Sequence, residues 1–112
     1  MYNLKFSNEV WSLIPARSGS KRIKNKNLKK IGKFSLVAHA IRMAKKTKYI
    51  DRIFVSTDSN YIKKESNSYN AEVPFLRSKK ASSDNANDYE VLKEFLIKIY
   101  KMEKKLPKFI IL

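Results

Sequence analysis

The chain contains no cysteine. Disulfides and thiolate metal ligands are excluded, and a reducing setting such as the cytoplasm is compatible with the composition. Glycine is almost as scarce, with only Gly19 and Gly32. That rules out both common glycine-rich phosphate motifs. The P-loop needs two glycines with Lys-Ser/Thr after the second, and the dinucleotide fingerprint needs three in close order. His39 is the single histidine; it falls among the apolar positions of a helical segment, where a partly exposed helix residue is expected rather than a catalytic one. No apolar run approaches the roughly 18 residues of a membrane span, so no membrane partner is expected. Residues 1–9 are polar and mixed, without the pattern of a secretory signal. There is no internal repeat, low-complexity tract or interdomain linker.

Acidic residues are also few. Ten Asp+Glu stand against 25 Lys+Arg, for a formal net charge of +15. Such a balance invites a small basic nucleic-acid-binding module as a reading. The lysines argue against it, because they are spread along the whole chain, including the surfaces of the expected helices. No basic stripe alternates with exposed aromatics. Only residues 17–30 form a concentrated cationic cluster, and one bound nucleoside triphosphate would explain it.

What is present is one domain's worth of chain, 112 residues with 43% hydrophobic content, enough for a modest core. After a loose lead-in over residues 1–9, Val10, Trp11, Ser12, Leu13 and Ile14 read as a buried strand, with Trp11 as packing. Residues 17–33 form a loop with a turn at Gly32 and Lys33. From Ser35, the spacing of Leu36, Val37, Ala40, Ile41 and Ala44 predicts a helix with one apolar face. Residues 52–56 form a second strand, and a helix is expected over 59–68. Residues 72–76 read as a short third strand, confined to a sheet edge by Pro74. A polar loop over 77–86 leads to the clearest helix, capped by Asn87 with Glu90 three residues on. Pro107 is expected to break it, and residues 108–112 begin a fourth strand. This alternation implies a parallel sheet with helices on its faces and ligands at the carboxyl ends of the strands. Arg17, Asp58 and Arg77 each follow a different strand, so all three fall on that edge.

The first loop carries the most specific chemistry. An apolar run over 10–16 stops at Pro15-Ala16 and opens into Arg17-Ser18-Gly19-Ser20-Lys21. Backbone N–H groups around Gly19 suit a concave anion site. Ser20 adds a hydroxyl donor, Arg17 a planar fork and Lys21 a mobile point charge.

Read as a whole, Ile14-Pro15-Ala16-Arg17-Ser18-Gly19-Ser20-Lys21, followed by Lys26-Asn27-Leu28, resembles the signature of the acylneuraminate cytidylyltransferase family, the CMP-N-acetylneuraminic acid synthetases. Three further stretches match in the family's order: Val55-Ser56-Thr57-Asp58, Ala71-Glu72-Val73-Pro74-Phe75-Leu76-Arg77, and Ser83-Asp84-Asn85-Ala86. The resemblance covers residues 13–112 and about the N-terminal half of the family's domain. It implies an α/β fold, a three-layer α/β/α Rossmann-like architecture of the nucleotide-diphospho-sugar transferase type, with a mostly parallel sheet that stops after the fourth strand. It also implies an enzyme that joins CTP to an acidic nine-carbon sugar (sialic, legionaminic or pseudaminic acid) with loss of pyrophosphate. By resemblance, Arg17, Ser18, Gly19, Ser20 and Lys21 hold the triphosphate, with Arg17 and Lys21 as catalytic cations. Lys26 and Asn27 face the nucleotide. Arg77 reads the cytosine carbonyl, and the backbone of Ala86 meets the exocyclic amine. Asp58 orients the nucleotide loop or caps the next helix. Family members use Mg2+ and form homodimers through segments beyond this stretch, so the expectation here is CTP binding without turnover, without a metal site and without that dimer. A non-functional gene remnant is a rival reading. Three positions depart from the family pattern: Lys24, Phe34 and Asp88, the last standing where many relatives have a small hydroxyl residue near the nucleotide.

Overall fold

The computed structural model describes residues 6–19, 26–83 and 86–112. The chain runs through β1 (Val10–Pro15), a 3-10 turn (Lys26–Leu28), β2 (Lys30–Ile31), β3 (Phe34–Ser35), α1 (Leu36–Lys46), β4 (Arg52–Ser56), α2 (Asn60–Ser68), α3 (Lys79–Ser82), α4 (Asp88–Glu103) and β5 (Phe109–Ile111). β1 is the middle of a parallel sheet of order β4-β1-β5. Its register sets Trp11 opposite Arg52 and Pro15 opposite Ser56, so the carboxyl ends of β1 and β4 finish level.

Strand alternation explains why the chain folds in three layers. Trp11 and Leu13 of β1 and Phe54 of β4 face α4, where they pack with Phe95 and Ile99. The alternate positions Ile14, Ile53 and Val55 face α1 and α2, packing with Val37, Ile41 and Ile62. The α4 side is aromatic. Phe54 lies 5.0 Å from both Trp11 and Phe95 between ring centroids, tilted or edge-on. Contacts of this geometry contribute about 0.5–1.5 kcal/mol each beyond the area buried. Trp11 is wholly buried and donates its indole N–H to Glu9 at 3.0 Å, so it is a core residue.

The helix starts are chemically explicit. Ser35, Ser59, Ser78 and Asn87 each accept the backbone N–H three residues on, from Ala38, Ile62, Ala81 and Glu90. Each such cap is worth about 1 kcal/mol. Among the described residues no helix is long and apolar enough to cross a membrane.

Several expectations are corrected. The third strand over 72–76 does not form. Glu72 alone bridges Phe54, exchanging bonds with Val55 (2.9 Å) and Ile53 (2.8 Å). Pro74 has no N–H with which to extend the ladder. The loop before Ser35 contains a small antiparallel hairpin, β2-β3, turning on Gly32 at φ +69°, a conformation that favours glycine. The polar loop over 77–86 contains α3. Helix α4 ends at Lys104, left-handed at φ 62°, before Pro107 is reached. The lead-in is not loose from residue 6 onward: Phe6 bridges Leu106, and Ser7 donates its N–H (2.7 Å) and hydroxyl (3.0 Å) to the Leu106 carbonyl.

Candidate functional site

The site forms where β1 and β4 end side by side. As β1 leaves the sheet, the Ala16 N–H donates to the Ser56 carbonyl at 2.8 Å. Two residues later the chain is caught from across the sheet edge. The Ser18 N–H donates to one Asp58 oxygen at 2.8 Å, and the Ser18 hydroxyl to the other at 3.0 Å. The Asn27 side-chain amide donates to the Arg17 carbonyl at 3.1 Å. Residues 16–18 are thus held on three sides, and bonds to an ionised carboxylate are the strongest of these. Both Ser18 donors are turned toward Asp58, so in this arrangement Ser18 shapes the loop. Ser59, not Asp58, caps α2.

Arg77 approaches from the opposite wall. Its backbone N–H donates to the Thr57 carbonyl at 2.7 Å. Its Nε–H donates to the Ser56 hydroxyl at 2.8 Å, Nη2–H to the Ser56 carbonyl at 2.9 Å and Nη1–H to the Ala81 carbonyl at 3.3 Å. The residue is only 8% exposed. Burial pushes its guanidinium below the ordinary arginine value; Asp58 opposes this, and the positive charge of Arg17 adds to it. Two cations therefore line one cleft, and a bound anion would offset their repulsion.

Between these walls lies a cleft of about 240 Å³. Pro15, Arg17, Gly19, Lys26 and Asn27 line one side; Arg77, Ala86, Asn87, Asp88 and Val91 line the other. The Ala86 N–H is taken by the Ser83 carbonyl at 3.1 Å, which leaves its carbonyl as the group it can offer. Of the residues singled out in the sequence, Arg17, Gly19, Lys26, Asn27, Arg77 and Ala86 meet in this one cleft, with Ser18 and Asp58 just behind it. Ser20 and Lys21 lie outside the described residues. Ser56, Asn87 and Val91 were not anticipated. Asn87 and Val91 were legible only as a helix cap and an apolar helix position, and Ser56 only as a strand end.

A wider groove of about 490 Å³ runs between α3 and α4 and includes Lys80, Tyr89, Lys93 and Lys101. It shares no residue with the expected site and has a more apolar, more open lining, so size alone does not identify where the chemistry lies. Among the described residues no group of three or more His, Cys, Asp or Glu could hold a metal ion.

A family model described as cytidylyltransferase matches residues 11–103. A post-translational flagellin modification protein B from Campylobacter coli is 39% identical over 90 residues, 80% of this chain and 38% of that protein. A CMP-N,N'-diacetyllegionaminic acid synthase from Campylobacter jejuni subsp. jejuni is 37% identical over 90 residues, again 80% of this chain and 38% of that protein. Among solved structures, a CMP:2-keto-3-deoxy-manno-octonic acid synthetase complexed with CTP superposes with a TM-score of 0.70 at 20% identity, covering 88% of this chain and 39% of that one. At that identity the likeness speaks for the fold. The chain spans about two fifths of the length of these proteins.

Proposed function

The chain belongs to the cytidylyltransferase family, and from that premise we propose that it forms the CTP-holding part of an enzyme that transfers CMP to an acidic nine-carbon sugar. The observation that carries this reading is that Arg17 and Arg77, from two loops distant in sequence, line one cleft at the carboxyl ends of parallel strands. A sugar hydroxyl attacks the α-phosphate in line, its oxygen–phosphorus bond forms as the bond to pyrophosphate breaks, and the proton leaves with solvent. Catalysis of this kind rests on positioning and charge neutralisation. CTP carries about four negative charges at neutral pH. Arg17, Lys26, Ser20 and Lys21, with the Gly19 amide, offset that charge and hold the departing pyrophosphate. At the other end the Arg77 guanidinium donates to the cytosine carbonyl, and the Ala86 carbonyl accepts from the exocyclic amine. Uracil presents an oxygen where cytosine presents that amine.

By resemblance, the whole protein uses magnesium and pairs into a homodimer, and the absence of cysteine is compatible with a cytoplasmic setting. The names of the Campylobacter jejuni relatives point to legionaminic or pseudaminic acid within the class of nine-carbon acids.

Calorimetric titration of the 112-residue chain with CTP and UTP tests the reading. CTP is expected to bind more tightly than UTP, and Arg17→Ala and Lys21→Ala should each lower CTP affinity. Unchanged CTP affinity in both variants would overturn the site.

A further inference from the structure

We infer that Ser56 is a positioning residue for base recognition: its hydroxyl and carbonyl set the plane of the Arg77 guanidinium and tie it to the start of the cationic loop. This rests on the CTP reading above. Ser56 is the last residue of β4, opposite Pro15, and is 5% exposed. Its hydroxyl accepts the Arg77 Nε–H at 2.8 Å. Its carbonyl accepts the Arg77 Nη2–H at 2.9 Å and also the Ala16 N–H at 2.8 Å. One residue therefore joins both walls of the cleft at the rim of the sheet.

The guanidinium is planar, so fixing Nε and Nη2 fixes the whole group. With the Ala81 carbonyl taking one Nη1–H, a single N–H remains on each terminal nitrogen. These two donors are what Arg77 can present to a ligand. The carbonyl half of the arrangement would survive any side chain at position 56. The hydroxyl half requires serine or threonine. Without it, a buried Nε–H loses its acceptor, and the guanidinium turns to find another. The cationic loop does not depend on that hydroxyl, because Asp58 and Asn27 hold it separately. Loss of the Ser56 hydroxyl is thus expected to blunt the choice between bases and to spare the grip on phosphate.

The test compares CTP, UTP and inorganic triphosphate on Ser56→Ala, Ser56→Thr, Arg77→Ala and the Ser56→Ala/Arg77→Ala double variant. Ser56→Ala should lower the preference for CTP over UTP about tenfold, with triphosphate affinity changed by about twofold at most. Ser56→Thr should restore the preference. In the Arg77→Ala background Ser56→Ala should have no further effect. An undiminished preference in Ser56→Ala, or an effect that persists without Arg77, overturns the inference. If Ser56→Ala does not fold, NMR of the unsubstituted chain decides. The Arg77 Nε–H should exchange with solvent about tenfold more slowly than that of exposed Arg42, and equal rates overturn the inference. If the unsubstituted chain binds neither nucleotide, the CTP reading fails, while the exchange rates still report whether Ser56 holds Arg77.

Discussion

Asp58 takes both hydrogen-bond donors of Ser18, the main-chain N–H at 2.8 Å and the hydroxyl at 3.0 Å, one on each carboxylate oxygen. A negative charge thus sits behind the stretch of loop that brings Arg17 to the cleft. Two opposing effects follow from removing it. Loss of the charge would favour an incoming anion by about 1 kcal/mol in a solvated site. Loss of two charge-assisted bonds would free the loop, at about 1.5–3 kcal/mol each. The second effect is larger, so Asp58→Ala should weaken CTP binding by about tenfold or more, and its thermal midpoint should fall as well. Tighter CTP binding in a folded Asp58→Ala variant would show that charge, not loop geometry, governs the site.

Asp88 raises the opposite expectation. It lines the cleft, and among the described residues no side-chain bond ties it to the loop, so its carboxylate is expected to act on a triphosphate mainly as a like charge. Asp88→Ser should strengthen CTP binding about threefold at low ionic strength. The gain should shrink as salt rises, because exposed charges are screened over about 10 Å at 0.1 M. Weaker binding would mean that the carboxylate contacts the ligand favourably. Stability should change little, since Asn87 supplies the cap of α4.

Arg52 ties the α4 end to the sheet edge. It pairs with Glu72 at 2.7 Å and Glu103 at 2.6 Å, and its guanidinium carbon lies 4.7 Å from the Phe54 ring centroid. The pairs are partly exposed, so each is worth at most about 1 kcal/mol after screening, and Arg52→Ala should cost about 1–2 kcal/mol in urea unfolding. The hydrogen bond from Arg52 holds the Glu103 carboxyl below its ordinary value of 4.5, against some desolvation. The Trp11 indole N–H lowers Glu9 likewise, with desolvation opposing it. A depressed carboxylate contributes stability that is present above the unfolded value and lost as pH falls through the folded one. Unfolding free energy should therefore decline below about pH 4.5, and the decline should be shallower in Arg52→Ala. Equal acid sensitivity in the two proteins would dissociate it from this ion-pair network.

Phe95 is the α4 residue on which the aromatic core converges, 5.0 Å from Phe54, 6.0 Å from Phe75 and 6.4 Å from Trp11. Phe95→Ala should cost about 3–5 kcal/mol through lost burial and the cavity left behind. That is a large share of the roughly 5–15 kcal/mol of a domain this size, so circular dichroism melts should show a steep fall or no folded baseline. Phe95→Leu should recover much of that loss, because leucine refills most of the cavity. A melt unchanged by Phe95→Ala would remove α4 from the core.

Local chemistry in the sequence determined much of this protein. The starts of α1, α2 and α4 are legible because Ser35, Ser59 and Asn87 cap the first turn of their own helices, an interaction spanning three residues. β1 and β4 are legible as short apolar runs buried between layers, and β5 as a short apolar run whose Phe109 and Ile111 stay exposed at the edge of the sheet. The ordered motifs point to a nucleotide site holding Arg17, Lys26, Asn27, Arg77 and Ala86, and the fold gathers these around one cleft. Tertiary structure decided the rest. Whether 72–76 becomes a strand depends on a ladder that Pro74 cannot extend, so only Glu72 pairs. The four residues of α3 are held by the Ser78 cap and by Glu94 of α4, which accepts the Ser78 N–H at 3.0 Å. Asp58 turned to Ser18, leaving the cap to Ser59, and Ser56 became the partner of Arg77, because β1 and β4 end level and bring distant loops within bonding reach. A hydrogen bond between residues 21 or 40 apart has no periodicity to announce it; the sheet register creates it.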